Sequence, residues 1–145
     1  VSLAVLLGSL LSGMGAGSFY GSKLFNDNIK RIKAAAFLIF VSIIAIFFIH
    51  NFVLNAFLAN SVIIKCIISA SFLIPLGFLL GIPFPTAINL MDEDGLERFI
   101  PWMYGINGIA SVLGLVGAIA ISLTHGFSVC LIVGALCYLV IDLIL

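Results

Sequence analysis

The sequence predicts an all-α membrane protein, a bundle of about five transmembrane helices. The 145-residue chain is 63% hydrophobic and only 8% charged, whereas soluble domains average about 25% charged residues. Its mean hydropathy is +1.37. A chain this apolar has more apolar surface than a soluble fold of this size could bury. The apolar residues also fall into long runs, each close to the roughly 20 residues that a helix needs to cross the hydrocarbon core.

These runs predict a single transmembrane domain over residues 1–145. Lipid offers the backbone no hydrogen-bond partners, so runs of this length must be helical. The chain starts at Val1, already inside an apolar run and without an initiator Met, so we expect a fragment of a longer membrane protein. The predicted spans cover residues 1–21, 34–54, 62–83, 103–124 and 127–145.

The first span contains "GMGAGSFYG", which allows two interpretations. G-x-G-x-G outlines a loop that wraps a nucleotide or S-adenosylmethionine, but such a loop follows a strand and needs a carboxylate about 20 residues later. No polar break interrupts the first span, and residues 33–91 contain no Asp or Glu. Glycines four residues apart instead favour close helix packing.

Small residues recur in the third and fourth spans and predict further helix contacts there. The pattern is typical of helices whose backbones approach closely in lipid. The predicted helix-packing residues are Gly13, Gly17, Gly21, Gly77, Gly81 and Gly114.

Prolines break the third span and make its end a candidate site. Pro75 lies inside this span, where we expect a kink, and Pro83 and Pro85 end it. Carbonyl groups near Pro83 and Pro85 should lack helical partners and face the free amides at the start of the fourth helix. The sequence therefore predicts a small-molecule contact at this break.

The basic residues predict the orientation. Residues 22–33 carry four of the six Lys and Arg residues and should be cytoplasmic by the positive-inside rule. The C-terminus then also lies in the cytoplasm. The bilayer is the expected partner, and the few basic residues form no broad patch for a nucleic acid.

No catalytic residue, cofactor site or metal site can be assembled from the sequence. The three cysteines have no metal-ligand spacing, and the acidic stretch "DEDGLE" is too short for a calcium loop. Asn107, near the start of the fourth span, has two interpretations: it caps the helix or bonds to the third span, or it contacts a ligand.

Two stretches resemble a known family. "GFLLGIPFPTAINL", residues 77–90, precedes "IPWMYGINGIASVLGLVGAIAISLTHGFSVCLIVGALCYLV", residues 100–140. G-x-P-F-P followed by P-W-x-x-G-x-N-G-x-x-S-V-L-G is similar to the membrane region of bacterial spermidine synthase-like proteins, in which an aminopropyltransferase-like domain is fused to transmembrane helices. The resemblance covers about half of the chain, residues 77–145.

The resemblance implies a noncatalytic membrane domain in the bacterial inner membrane. Its expected partners are lipid and either further helices or a soluble synthase-like domain of the same parent chain. That domain would hold the enzyme activity, and no catalytic residue is carried over to this chain. Anchoring, sensing and transport of a small molecule remain open as its role. The candidate ligand or packing residues are Pro83, Pro85, Trp102, Gly105, Asn107, Gly108 and Ser111.

The alternative hypothesis is a fragment of a secondary transporter of the major facilitator type, since the paired helices at the N-terminus also loosely resemble that fold. A transporter of this class should have a polar cavity at mid-membrane. A polyamine carrier would add buried carboxylates or an aromatic cage. The middle of the predicted spans is nearly free of ionisable residues, which favours the first hypothesis.

Overall fold

The computed structural model describes residues 2–21, 27–57 and 62–145. Over these residues the chain forms six α-helices and one short 3₁₀ turn, Glu97–Phe99. The helices are α1 (Ser2–Tyr20), α2 (Asn28–Phe57), α3 (Val62–Leu80), α4 (Pro83–Glu93), α5 (Ile100–His125) and α6 (Phe127–Ile144).

Five helical segments are long and apolar enough to cross a membrane: α1, α2, α3 together with α4, α5, and α6. Their apolar side chains are widely exposed, as expected where lipid is the solvent. The predicted fold class, an all-α multi-pass membrane protein, is confirmed.

The helices do not pack in chain order. α1 packs on α3, α3 on α2, α2 on α6, and α6 on α5, so the spatial order is α1, α3, α2, α6, α5. α4 packs mainly on α2 and touches α5. α1 and α5 therefore form the two edges of the bundle.

The core lies along the first half of α2. Its buried residues Ile32, Ala35, Ala36 and Ile39 repeat at three- and four-residue steps, so they form one stripe on the helix. Ile82 and Ala135, from two other parts of the chain, are also buried. We call the end of the bundle where α1 ends and α2 begins the proximal end.

α2 starts before the predicted span of 34–54. The Oδ1 atom of Asp27 accepts hydrogen bonds from the backbone N–H of Ile29 (3.0 Å) and of Lys30 (3.3 Å), which caps the helix. The basic residues that follow are good helix formers, so α2 continues beyond its apolar part. Half of the predicted basic loop, 22–33, is thus helical, and residues 22–26 of that loop lie outside the described part.

The helix of the third span, α3, ends earlier than the predicted limit of residue 83, and the membrane-spanning segment continues through α4. α3 runs through Pro75 to Leu80, and Gly81 and Ile82 separate it from α4. Residues 84–102 belong to none of the predicted spans, yet α4 forms there with Pro83 as its first residue. A proline is tolerated in the first turn because those amides have no helical acceptor. α5 then begins three residues before the predicted start at 103.

Candidate functional site

The glycines of α1 lie against the backbone of α3. A Cβ added to Gly13 would collide with the carbonyl oxygen of Ile74 and lie 3.0 Å from the amide nitrogen of Phe78. A Cβ added to Gly17 would collide with the carbonyl group of Phe78. No other residue type fits at these two positions without moving a helix backbone.

The glycines of α3 repeat the arrangement from the other side. A Cβ on Gly77 would collide with the carbonyl oxygen of Leu10, and one on Gly81 with that of Met14. A Cβ on Gly21 would lie 2.8 Å from Cγ1 of Ile82. Since higher residue numbers in α1 meet higher numbers in α3, the two helices run parallel.

The G-x-G-x-G pattern does not form a loop. α1 is helical throughout Ser2–Tyr20, and a Cβ on Gly15 would meet nothing within 4 Å. Gly13 and Gly17 lie on the side that meets α3, whereas Gly15 lies on the open side. The glycines therefore do not form a loop that could surround a phosphate or an adenosyl group.

A buried polar cluster joins α2 to α4 at the proximal end. The Asn28 amide nitrogen donates a 2.7 Å hydrogen bond to Oε2 of Glu93. The Arg31 Nη1 atom donates a 2.9 Å hydrogen bond to Oδ1 of Asn28. Asn28 is 8% exposed and Arg31 is 5% exposed, whereas Glu93 is exposed. A buried guanidinium needs such hydrogen bonds to compensate for lost hydration, so the cluster fixes the end of α4 on α2.

At the α3–α4 break, several carbonyl groups have hydrogen-bond partners. The amide of Gly81 donates to the carbonyls of Gly77 (3.0 Å) and Phe78 (3.3 Å), and the amide of Ile82 donates to Leu79 (3.2 Å). The buried Thr86 donates its hydroxyl to the Ile82 carbonyl at 2.8 Å. The turn thus gives a donor to the Leu79 carbonyl, the group that Pro83 leaves without a helical N–H partner.

The structure separates the predicted site residues into two groups. Pro83 and Pro85 lie at the start of α4 and are half-buried. The others lie on α5, none of whose residues is buried. These residues, all exposed, are Trp102, Gly105, Asn107, Gly108 and Ser111.

Asn107 is not a helix cap. α5 begins at Ile100, two turns earlier. The backbone carbonyl oxygen of Asn107 accepts a 2.7 Å hydrogen bond from the Ser111 hydroxyl. A Cβ on Gly105, Gly108 or Gly114 would meet nothing within 4 Å. Within the described residues, the predicted packing role of Gly114 therefore has no partner helix.

One aromatic contact connects the two groups. The rings of Phe84 on α4 and Tyr104 on α5 meet edge to face, with centroids 5.2 Å apart. This geometry is favourable for aromatic pairs. It places the start of α5 beside the start of α4, at the proximal end.

Two titratable groups next to the cluster are exposed. The Nζ atom of Lys30 lies 3.6 Å from Oδ2 of Asp27, a solvent-exposed pair that contributes little stability. The backbone N–H of Lys30, helped by that of Ile29, lowers the pKa of the Asp27 carboxyl group. The carboxylate of the cap therefore stays ionised to a lower pH than that of an unperturbed aspartate.

The thiols and acidic groups do not form a metal site in the described part of the chain. Among the side chains that the structure describes, no three of His, Cys, Asp or Glu come together as metal ligands. Cys66, Cys130 and Cys137 are free thiols.

Sequence reasoning missed the proximal cluster. Asn28 and Glu93 are 65 residues apart, and neither belongs to a recognisable motif. The one available indication was Arg31, a basic residue at the edge of an apolar run. Comparison of the chain with protein-family models, with curated proteins and with solved structures gave no match.

Proposed function

We propose that this chain is the membrane domain of a spermidine synthase-like protein of the bacterial inner membrane. In this proposal the domain is noncatalytic by itself. It anchors a soluble aminopropyltransferase-like domain of the same parent chain and presents its proximal end to that domain. The family resemblance of residues 77–145 supports the assignment.

One observation carries the anchoring role. The buried polar side chains of the described residues are Asn28, Arg31 and Thr86, and all of them lie at the proximal end. Among the α2 side chains that the structure describes, those buried farther along the helix are apolar, as far as the fully buried Ile39. A transport pathway needs polar groups at mid-membrane, whereas an anchor needs a tightly packed interior and a structured end.

The proximal end is cytoplasmic in this proposal. Lys30, Arg31 and Lys33 lie in the first turns of α2, and basic residues are retained on the cytoplasmic side. The C-terminus of α6 lies on the same side, because α5 and α6 form an antiparallel pair. A reporter enzyme fused after Leu145 should be active only if that reporter functions in the cytoplasm.

The decisive experiment uses the full-length parent. We expect it to transfer aminopropyl groups, and we expect that activity to survive when residues 1–145 are exchanged for an unrelated helical bundle. Loss of transfer despite correct membrane insertion would show that these helices do more than anchor. A parent without aminopropyl transfer in either form contradicts the proposal.

The transporter hypothesis makes a separate prediction. Reconstituted in vesicles, the chain would accumulate radiolabelled spermidine above the level of empty vesicles. The anchoring proposal expects no difference. Spermidine accumulation above that of empty vesicles would contradict the anchoring role.

A further inference from the structure

Polar aromatic residues are concentrated at one end of the molecule. Trp102 is 72% exposed and Tyr104 is 58% exposed, both in the first turns of α5. Tyr20, the last residue of α1, is also exposed and its ring meets Phe19 edge to face at 5.1 Å. The chain has one Trp and three Tyr residues, so three of these four side chains are exposed at helix ends.

These side chains lie at the same end, although they belong to opposite edges of the bundle. Gly21, next to Tyr20, lies against Ile82 just before α4, and Phe84 of α4 contacts Tyr104. The end of α1 and the start of α5 are therefore linked through the start of α4. Exposed polar aromatics thus flank the proximal end on both sides.

Trp102 also marks a change in the exposed surface of α5. Before it, Glu97 and Arg98 form the 3₁₀ turn with Phe99, and the Arg98 guanidinium lies 4.8 Å from the Phe99 ring centroid. After it, exposed large apolar side chains recur from Ile106 to Leu123, with the exposed Asn107 and Ser111 as polar residues in the first part of this stretch. Polar groups return at Thr124 and His125, which are joined by a 2.7 Å hydrogen bond.

The distance along α5 from Trp102 to the end of this apolar stretch matches a bilayer, and the stretch from Ile106 to Leu123 covers about 26 Å of it. Trp102 and Leu123 are separated by about 21 residues of α5, or about 32 Å at 1.5 Å per residue. The hydrocarbon core is about 30 Å thick. With the charged turn outside the core, Trp102 falls at the level of the headgroups.

We infer that Tyr20, Trp102 and Tyr104 form an anchoring surface for the phospholipid headgroup layer at the proximal end. Each ring offers an apolar body to the acyl chains, and Trp102 and Tyr104 add an N–H or O–H group for headgroups and water, as in the aromatic belts of membrane proteins. The partner is the headgroup layer itself, and the surface fixes the depth at which the bundle sits.

The single tryptophan makes this inference testable. The chain is reconstituted in phosphatidylcholine vesicles that carry a nitroxide quencher either on the headgroup or near the end of the acyl chain. The shallow quencher should reduce Trp102 emission about twofold more than the deep quencher, as expected for a ring at the interface.

A matched variant moves the probe along the same helix. In W102F/V112W the indole lies about 15 Å deeper, at a position that is 62% exposed in the wild type. The deep quencher should now be the stronger one. Wild-type emission that follows the deep quencher, or that responds to aqueous iodide and to neither lipid quencher, overturns the inference.

Discussion

Asn28, the first residue of α2, donates a 2.7 Å hydrogen bond to Glu93, the last residue of α4. The bond joins segments that are 65 residues apart. Because Asn28 also accepts from Arg31, one amide group connects a buried cation to an exposed carboxylate. This relationship holds the proximal end together.

A double-mutant cycle should detect the coupling between these two side chains. We expect Asn28→Ala and Glu93→Ala to be coupled by about 1 kcal/mol in the free energy of unfolding, since bonds to charged groups contribute about 1.5–3 kcal/mol and Glu93 is exposed to screening solvent. Glu97→Ala removes a nearby carboxylate and serves as control. A coupling of Asn28 to Glu97 as large as that to Glu93 would contradict the assignment.

Gly17→Leu should destabilise the bundle. The new side chain would enter the backbone of α3 at Phe78, and overpacking typically costs about 1–3 kcal/mol, occasionally more. Thermal unfolding in detergent measures the change. Gly15→Leu, on the open side of the same helix, should leave the transition almost unchanged, and equal effects at the two positions would rule out the α1–α3 contact.

Adding a side chain to a glycine of α5 should stabilise the bundle, whereas adding one to Gly17 destabilises it. Gly114→Ala meets no neighbour within 4 Å, so the alanine should raise stability by about 0.5–1 kcal/mol through its better helix propensity. Gly81→Ala, which collides with the carbonyl group of Met14, should lower it. A clear loss of stability in Gly114→Ala would mean that another helix covers this face.

The Asp27 cap should lose its effect only in acid. Capping hydrogen bonds from the backbone lower the pKa of this carboxyl group in the folded state. Its stabilising contribution is therefore fully present above the pKa of an unfolded aspartate and is lost as pH falls through the lower folded value. Hydrogen exchange of the Ile29 and Lys30 amides against pH should show this loss, and Asp27→Asn should remove the pH dependence while keeping a cap.

The spans could be predicted from the sequence because lipid offers the backbone no hydrogen-bond partners. Every long apolar run must therefore form a helix. Glycine spacing was less informative. Gly17 and Gly114 belong to similar small-residue patterns, yet one contacts a helix and the other faces open space. Spacing shows which faces allow a close approach, but only tertiary packing determines which of them is occupied.

The proximal cluster and α4 could not be predicted for different reasons. Asn28 and Glu93 meet only through the packing of distant helices, and no local pattern encodes that. For α4, Pro83 and Pro85 predict the end of a membrane span and not the start of a further helix. Pro83 instead occupies a first-turn position where a missing N–H has no cost.

The packing of α1 on α3 has a consequence for biogenesis. A nascent chain emerges N-terminus first, so α1 enters the bilayer long before the helix that covers Gly13 and Gly17 has been synthesised. During that interval, lipid or an insertion chaperone must occupy the glycine surface. Ribosome-stalled chains that stop before Gly77 should therefore be more sensitive to membrane proteases than chains that extend past Gly81.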